Sequence, residues 1–286
     1  MGHHYIPKKY LLGFCEPIAE ERLWVYDREY KSFLRKHINT VGEEKDFYSS
    51  NDEKALNEEI EQPALPLLLK LRAGGLLSDA ERPIFAKYVS TMMTRVPYIR
   101  EVLIPSIPGS LDEDFDDMLN DMEYKLKMSK STPEFIKQQI EILEDNRLNI
   151  IEMVSPRATE TNRSPFLATR YINKTVLDMK WRFLTTKGPS FFLTSDNPVV
   201  SFKSMGLGRN VSEFSFPISS RLLLHGTWVD IRHGENHAIS QKLVKEFNRR
   251  TVSKSCRFLY YHIKEDWVKF LGDNPAGDSR LNPIKW

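Results

Sequence analysis

The chain has 286 residues, of which 41% are apolar, and a formal net charge of +2, so it can bury the core of one large domain or of two unequal lobes. Its longest apolar runs, such as residues 65–71, are far shorter than the roughly 20 residues of a membrane-spanning helix, and Lys8-Lys9 is not followed by the apolar core of a signal peptide. Two cysteines, Cys15 and Cys256, are typical of a reducing compartment, and their spacing does not indicate a zinc site. We therefore expect a globular cytoplasmic protein without a membrane partner.

The charge is distributed unevenly along the chain. Residues 165–257 carry fifteen Lys and Arg against six acids, a balance of +9, so the rest of the chain carries −7. This pattern is either a solvated surface divided arbitrarily by the chosen limits or a basic face that meets phosphate groups. The basic segment includes the residues around Asp196.

The first part of the chain is predicted to hold a docked N-terminal segment, one strand and a series of helices. Tyr5, Tyr10 and Phe14 are spaced to pack, and neighbouring residues of an extended segment point to opposite sides, so at most one of His3 and His4 should enter a given site. Apolar spacing and capping residues predict a strand at 23–28 and helices at 64–72, 78–96, 111–128, 131–155 and 165–179. The acids of the third helix are most simply its wet face and not a metal site.

After residue 180 the pattern changes to short strands. Apolar runs predict strands at 181–184, 191–194, 199–202, 213–217, 222–229 and 257–262, with one helix at about 237–254. Most connections are too short for parallel crossovers, which need about a dozen residues, so the sheet is expected to be mainly antiparallel. Residues 194–198, Thr-Ser-Asp-Asn-Pro, have turn chemistry with the carboxylate of Asp196 at their centre.

These elements predict an α+β fold, in which a helical N-terminal half packs against a mainly antiparallel β-sheet formed by the C-terminal half plus an N-terminal strand. We expect a single domain over residues 1–286 with two lobes, a helical lobe at about 50–180 and a sheet lobe from 1–49 and 181–286. The functional pocket is expected where the N-terminal segment, the helix end at Arg95 and the Asp196 loop meet.

A series of short motifs, taken in order, resembles one known family. The motifs are His3-His4-Tyr5-Ile6-Pro7 with Tyr10-Leu11 and Phe14, Leu23-Trp24-Val25-Tyr26-Asp27, Asp46-Phe47-Tyr48, Ile60-Glu61, Thr94-Arg95-Val96-Pro97, Thr194-Ser195-Asp196-Asn197-Pro198 and Phe216-Pro217-Ile218-Ser219. The set is similar to the bacterial family known as domain of unknown function 4238, over roughly residues 3–262. The resemblance implies that His3-His4 is native sequence and not the remnant of an affinity tag, and it implies no established activity.

Several residues of these motifs could bind a divalent cation and a phosphate. Carboxylates and imidazoles ligate Mg²⁺, Mn²⁺ or Zn²⁺, and a guanidinium offers two parallel donors to a phosphoryl group. We assign metal binding to His3, His4, Asp46 and Asp196, catalysis to Asp196, His4 and Glu61, and phosphate or substrate binding to Arg95, Asn197 and Arg28. A metal-bound water would be the nucleophile. This interpretation predicts a Mg²⁺- or Mn²⁺-dependent phosphodiesterase or nuclease that acts on nucleic acid or a nucleotide, in a bacterial defence or toxin-like setting.

The same residues also allow a structural interpretation. Asp196 could cap its own turn, Arg95 could pair with Glu61, and His4 could be a hydrogen-bonded core residue. Other enzyme classes find less support, because the sequence has no GxSxG, P-loop, dinucleotide-binding or HExxH motif.

A second functional hypothesis is a non-catalytic recognition protein that binds nucleic acid or a nucleotide through its basic C-terminal half. Arg249-Arg250 with Lys242 and Lys245 on one predicted helix could bind phosphate, and Tyr260-Tyr261 could either stack on bases or pack within a strand. A protein partner, met by an exposed apolar patch, is a third possibility. Convergence of His3 or His4 with Glu61 and Asp196 in one cleft would favour the enzyme, whereas a continuous basic surface is enough for recognition.

Overall fold

The computed structural model describes residues 2–17, 21–45, 47, 49–99, 101, 165–202, 207, 212–229 and 236–275, with isolated positions between 116 and 141. The chain divides into two compact units, Met1–Tyr98 with Ser164–Trp286, and Ile99–Arg163. All elements described below belong to the first unit. The predicted helices at 111–128 and 131–155 lie, apart from isolated positions, outside the described residues, and the predicted lobe boundaries stay a prediction.

Helices and strands are interleaved along the first unit. In chain order they are β1 (Gly2–His4), α1 (Lys8–Leu11), β2 (Arg22–Asp27), β3 (Ser32–His37), β4 (Glu43–Lys45), α2 (Ser50–Leu56), α3 (Gln62–Arg72), α4 (Glu81–Thr94), α5 (Pro165–Asp178), β5 (Lys180–Thr186), β6 (Thr194–Ser195), β7 (Val200–Phe202), β8 (Glu213–Ser219), β9 (Leu222–Thr227), β10 (Asn236–Ile239), α6 (Gln241–Lys254), β11 (Phe258–Tyr261) and α7 (Asp266–Asp273). A π-helical turn, Asn57–Glu61, joins α2 to α3. The α+β class is confirmed, while the separation into a helical first half and a C-terminal sheet is not clearly visible because of this interleaving.

The described strands form three sheets. A five-stranded sheet has the order β10-β5-β9-β8-β7, a four-stranded sheet has the order β3-β2-β11-β6, and β1 pairs with β4. The pairs are antiparallel except for β10 and β5, which are parallel. The N-terminal strand joins C-terminal strands as predicted, because Trp24 of β2 lies opposite Tyr261 of β11. This pairing brings β2 into the same sheet as the Asp196 loop.

Two predicted boundaries were wrong. The helix expected from about 237 begins at Gln241, because Ser240 caps it by accepting a hydrogen bond from Leu243 N and the preceding residues pair with β5. The strand expected at 191–194 is limited to Thr194–Ser195. The backbone of residues 191–193 forms hydrogen bonds with the side chain of Asn248 instead of with a neighbouring strand. Leu193 N donates to Asn248 Oδ1, and Asn248 Nδ2 donates to the carbonyl of Phe191.

The N-terminal segment is docked into the main core, as its aromatic residues predicted. Tyr10 is fully buried, its ring stacks on Phe216 with centroids 5.2 Å apart, and its hydroxyl lies 2.8 Å from Thr194 Oγ1 and donates to the carbonyl of Pro217 at 2.7 Å. The segment therefore connects the two larger sheets. None of the described helices has the length and apolar character that crossing a lipid bilayer requires.

Candidate functional site

A polar cluster lies where β1, the π-helical turn and the end of α4 meet. We define it by His3, His4, Glu53, Glu61 and Arg95 and call it the Arg95 cluster. Arg95 is 1% exposed, its Nη1 donates to Glu61 Oε1 at 2.6 Å, and its Nη2 donates to the carbonyl of His4. The π-helical turn ends at Glu61, and a single wide turn of this kind is often found at functional sites. The buried guanidinium thus ties three separate segments together, as the Arg95–Glu61 pairing alternative proposed.

The pKa values of Glu53 and His4 in the Arg95 cluster are shifted in opposite directions. Burial raises the pKa of the Glu53 carboxyl, although the charge of Arg95 opposes this. Burial lowers the pKa of the His4 imidazole, and Lys8 adds to the effect while Glu43, whose Oε2 lies 3.8 Å from His4 Nε2, opposes it. A carboxyl with a raised pKa near an imidazole with a lowered pKa is a combination found in acid–base sites.

The described residues do not assemble a metal site. No His, Cys, Asp or Glu side chains among them form a group of three or more that could hold a metal ion. His3 and His4 occupy adjacent positions of β1, opposite Glu44 and Glu43, and Asp46 lies outside the described residues. The predicted metal ligands therefore stay a prediction.

Asp196 is buried at the start of β11 and not in the Arg95 cluster. Its Oδ1 accepts the backbone N–H of Cys256 at 2.9 Å, and its Oδ2 accepts those of Arg257 at 2.6 Å and Phe258 at 2.8 Å. Burial raises the pKa of this carboxyl to about 6 against the opposing effect of the three donors. Asp196 thus caps a distant segment instead of its own turn.

Asn197 extends the same connection. Its Nδ2 donates to the carbonyl of Lys254 at 3.0 Å, and its backbone N–H donates to Ser195 Oγ at 3.1 Å. The Asp196 loop therefore holds together the end of α6 and the start of β11.

A cavity of about 470 Å³ adjoins the N-terminal segment. Tyr5, Asp27, Lys36, Arg257 and Tyr260 are among its lining residues. Burial raises the pKa values of both tyrosine hydroxyls, and the charge of Asp196 raises them further. Of the residues that the structure describes around this cavity, none is a member of the Arg95 cluster. The Arg95 cluster therefore lies outside the lining of this cavity, and the single pocket expected for the N-terminal segment, Arg95 and Asp196 stays a prediction.

Arg28 lies at the end of β2 against the last turn of α7. Its Nε donates to the carbonyl of Gly272 at 3.2 Å, and its Nη1 donates to the carbonyl and Oγ of Ser255 at 2.6 and 2.9 Å. Arg28, Lys31, Arg257, Gly272 and Asp273 line a depression of about 550 Å³, which we call the Arg28 basin. Within the described part of the chain, neither Arg28 nor Lys31 forms an ion pair with an acid.

A second depression lies between α6 and α7, with residues 189–191 as its floor. It has a volume of about 470 Å³, and its lining includes the side chains of Val244, Lys245, Arg249, Trp267, Phe270 and Leu271. We call it the aromatic cleft. Its lining residues recur at helical spacing, with Gln241, Val244, Lys245, Asn248 and Arg249 on α6. Asn248 fixes the floor, because its Nδ2 donates to the carbonyl of Phe191 and its Oδ1 accepts the backbone N–H of Leu193.

The cleft combines aromatic surface with positive charge. Phe191 packs on Trp267 with ring centroids 5.0 Å apart, and Phe270 is 67% exposed. Lys245 and Arg249 stand on the α6 wall, and Glu265 is the acid among the lining residues described. Aromatic faces beside cationic side chains are the elements from which nucleotide sites are built.

The basic helix predicted from sequence is divided between surface and core. Arg249 lines the cleft, whereas its neighbour Arg250 is 1% exposed and donates to Glu213 Oε2 at 2.8 Å. Tyr260 and Tyr261 are 1% and 0% exposed, so stacking on bases is excluded for them and the strand-packing interpretation is confirmed. Arg249 and Lys245 are accessible to a phosphate in the cleft, whereas Arg250 is buried away from it.

Sequence reasoning missed the α7 wall of the cleft. Phe270 and Leu271 follow Trp267 by three and four residues in α7. The signal was present, because this spacing is typical of an amphipathic helix. What the sequence alone does not show is that these side chains face α6.

The chain belongs to the family described as protein of unknown function, DUF4238, whose model matches residues 2–265. This match covers every predicted site residue and ends one residue before α7 begins. Comparisons with curated proteins and with solved structures found no match.

Proposed function

We propose that the protein recognises a nucleotide or nucleic acid through the aromatic cleft, and that this recognition is not itself catalytic. The observation that carries the proposal is the meeting of the exposed Phe270 and the half-buried Trp267 with Lys245 and Arg249 in one preformed depression. Its volume of about 470 Å³ lies within the range of about 300–1,000 Å³ that is usual for small-ligand sites.

Each part of a nucleotide has a counterpart in the cleft. Stacking of a base on an aromatic side chain contributes about 1–3 kcal/mol, and it tolerates any base because all bases have a π-face. Trp267 and Phe270 offer such surfaces, and Arg249 offers a planar guanidinium for a phosphate. The positive balance of residues 165–257 supports attraction of an anionic ligand from solution.

Calorimetric titration with AMP and UMP tests the proposal. We expect both to bind the wild type, and we expect Arg249→Gln to weaken binding about tenfold, since a hydrogen bond to a charged group contributes roughly 1.5–3 kcal/mol. Phe270→Ala should also weaken binding, and its high exposure makes loss of the fold unexpected.

Lys242→Gln is the matched control, because Lys242 is an exposed cation of the same helix outside the cleft. Absence of AMP and UMP binding at millimolar concentration, or equal losses in Arg249→Gln and Lys242→Gln, would contradict the proposal.

A second candidate function, hydrolysis of a phosphodiester in a nucleic acid or nucleotide, is favoured by the Arg95 cluster. The opposite pKa shifts of His4 and Glu53 suit a neutral imidazole that takes a proton from attacking water and a carboxyl that gives a proton to the leaving oxygen. The requirement for Mg²⁺ or Mn²⁺ and the roles of Glu61, Arg95 and Asp196 belong to this candidate.

The hydrolase is tested with a labelled DNA strand and with bis(p-nitrophenyl) phosphate, each with and without added Mn²⁺. Glu53→Gln should abolish any turnover, whereas Glu58→Gln, which changes an exposed acid of the adjoining π-helical turn, should leave it unchanged. Calorimetry with Mn²⁺ and Mg²⁺ on the wild type and on Asp196→Ala examines the metal separately. Turnover that both variants retain would rule out the Arg95 cluster as its source.

A further inference from the structure

We infer that the ligand of the aromatic cleft is a single-stranded nucleic acid, whose chain crosses α7 and places a backbone phosphate in the Arg28 basin. This inference rests on the nucleotide recognition proposed above and names the class of nucleic acid. It starts from the placement of the two depressions on either side of one helix.

The two depressions share α7 as a common wall. Trp267, Phe270 and Leu271 line the aromatic cleft, and the next two residues, Gly272 and Asp273, line the Arg28 basin. A helix with its side chains is about 10–12 Å across. About three nucleotides at the 3.4 Å spacing of one DNA strand cover that distance, so one short strand can occupy both depressions.

The charges of the Arg28 basin favour a phosphate. The basin contains two acids, but Glu29 is paired with Arg257 at 2.5 Å and Asp273 with Lys269 at 3.3 Å. Arg28 and Lys31 form no ion pair with an acid among the described residues, although the charge of Lys31 acts on Asp273 and that of Arg28 on Asp196. Together with Arg257 they give the lining of the basin three cations against its two acids. Cationic side chains that track the backbone beside an aromatic platform are the usual arrangement for binding single strands.

The separation between the two depressions is held by direct contacts of α7 with β2 and the turn that follows it. The hydroxyl of Tyr26 donates to Asp273 Oδ1, Arg28 Nε donates to the carbonyl of Gly272 at 3.2 Å, and Lys269 Nζ donates to the carbonyl of Lys31 at 3.3 Å. A Cβ added at Gly272 would lie 2.6 Å from Tyr26 Cε1, so helix and strand are in close contact there. Because these contacts fix the position of α7 before binding, a bound strand does not have to supply the free energy of ordering this helix.

A single strand fits this arrangement better than a duplex. Bases in a duplex are paired and stacked. An unpaired base of a single strand turns into a cleft walled by two helices without the free-energy cost of breaking a base pair.

The test is fluorescence anisotropy with a labelled twelve-nucleotide dT strand, the same sequence as a duplex, and unlabelled dTMP as competitor, over a series of salt concentrations. We expect the single strand to bind at least tenfold more tightly than dTMP and than the duplex. Lys31→Asn should lower the slope of log K against log salt by about 0.7, the value for one lost phosphate contact in a single strand. Asparagine is chosen because Lys31 has a φ of +50°, which asparagine tolerates.

Controls separate this inference from the function on which it rests. Lys31→Asn should leave dTMP affinity unchanged, whereas Arg249→Gln should weaken both ligands, and Lys9→Gln, an exposed cation away from both depressions, should alter neither. Equal affinity for strand and dTMP, equal affinity for strand and duplex, or an unchanged salt slope in Lys31→Asn would each overturn the inference while leaving nucleotide recognition in place. Failure of dTMP and of the strand to bind would overturn both.

Discussion

The carboxylate of Asp196 accepts three backbone N–H groups from residues 60 to 62 positions later in the chain. Each buried donor left without an acceptor costs about 1–3 kcal/mol, so this one side chain holds the start of β11 in its register. The pKa of about 6 reflects the burial that this structural role requires. A perturbed carboxyl is therefore not by itself a sign of catalysis.

Folding stability should depend on pH through Asp196. Its folded pKa of about 6 lies above the ordinary value of 3.8, so folding favours the protonated carboxyl. The resulting stabilisation is complete below about pH 4 and is lost as the pH rises through 6. We predict that the free energy of unfolding of the wild type, relative to that of Asp196→Asn, falls between pH 4 and pH 7, as measured by urea denaturation.

Asp266→Asn is the control for that comparison, since Asp266 is exposed in the first turn of α7. The change with pH should be larger for Asp196→Asn than for Asp266→Asn, each taken relative to the wild type. A flat difference for Asp196→Asn, or one that grows with pH, would show that the folded protein does not raise the pKa of this carboxyl.

At the scale of the element, α6 serves the surface and the core with consecutive residues. Successive residues of a helix point about 100° apart, so Arg249 faces the aromatic cleft while Arg250 reaches the sheet. There Arg250 pairs with Glu213 of β8, whose Oε2 also lies 3.3 Å from His225 Nε2 of β9. Burial lowers the pKa of the His225 imidazole, and the hydrogen bond to Glu213 opposes this effect.

We predict opposite consequences for alanine at these two positions. Arg250→Ala should lower the free energy of unfolding by about 3–5 kcal/mol, because Glu213 is then left buried without its partner. Arg249→Ala should change it by no more than about 0.5 kcal/mol, yet weaken nucleotide binding. Chemical denaturation measures the first effect, and calorimetry measures the second.

Equal stability of the two variants would contradict the assignment of Arg250 to the core. Undiminished nucleotide binding by Arg249→Ala would contradict the assignment of Arg249 to the cleft.

Local sequence signals predicted where helices and strands lie better than they predicted which elements contact one another. The capping box at Ser78 is formed, since Ser78 N–H donates to Glu81 Oε2 at 2.8 Å and Glu81 N–H donates to Ser78 Oγ at 3.3 Å. Its helix, α4, ends at Thr94, three residues before Pro97. The start of α6 was missed because pairing of β10 with β5 is a long-range contact that the local helical spacing of 237–254 does not reveal.

At the scale of the whole molecule, the sequence shows the excess of cations in residues 165–257. It does not show which of these cations are buried and which line a cleft. Composition identified residues 165–257 as basic, but burial assigns Arg250 to an internal ion pair and Arg249 to a cleft. The pairing of Arg95 with Glu61 could be proposed from the helix end and the preceding acids. The hydrogen bonds from the backbone of residues 256–258 to Asp196 could not be proposed from sequence, because they depend on how β6 and β11 pair.

The measurement that tests nucleotide recognition most directly is a methyl NMR titration of the wild-type protein with AMP. Methyl signals of Val244 and Leu271 report on the aromatic cleft, and those of Leu56 and Ile60 report on the neighbourhood of the Arg95 cluster. We predict saturable shifts at Val244 and Leu271 with none at Leu56 and Ile60. Shifts at Leu56 and Ile60 alone, or none at any of the four, would contradict recognition through the aromatic cleft.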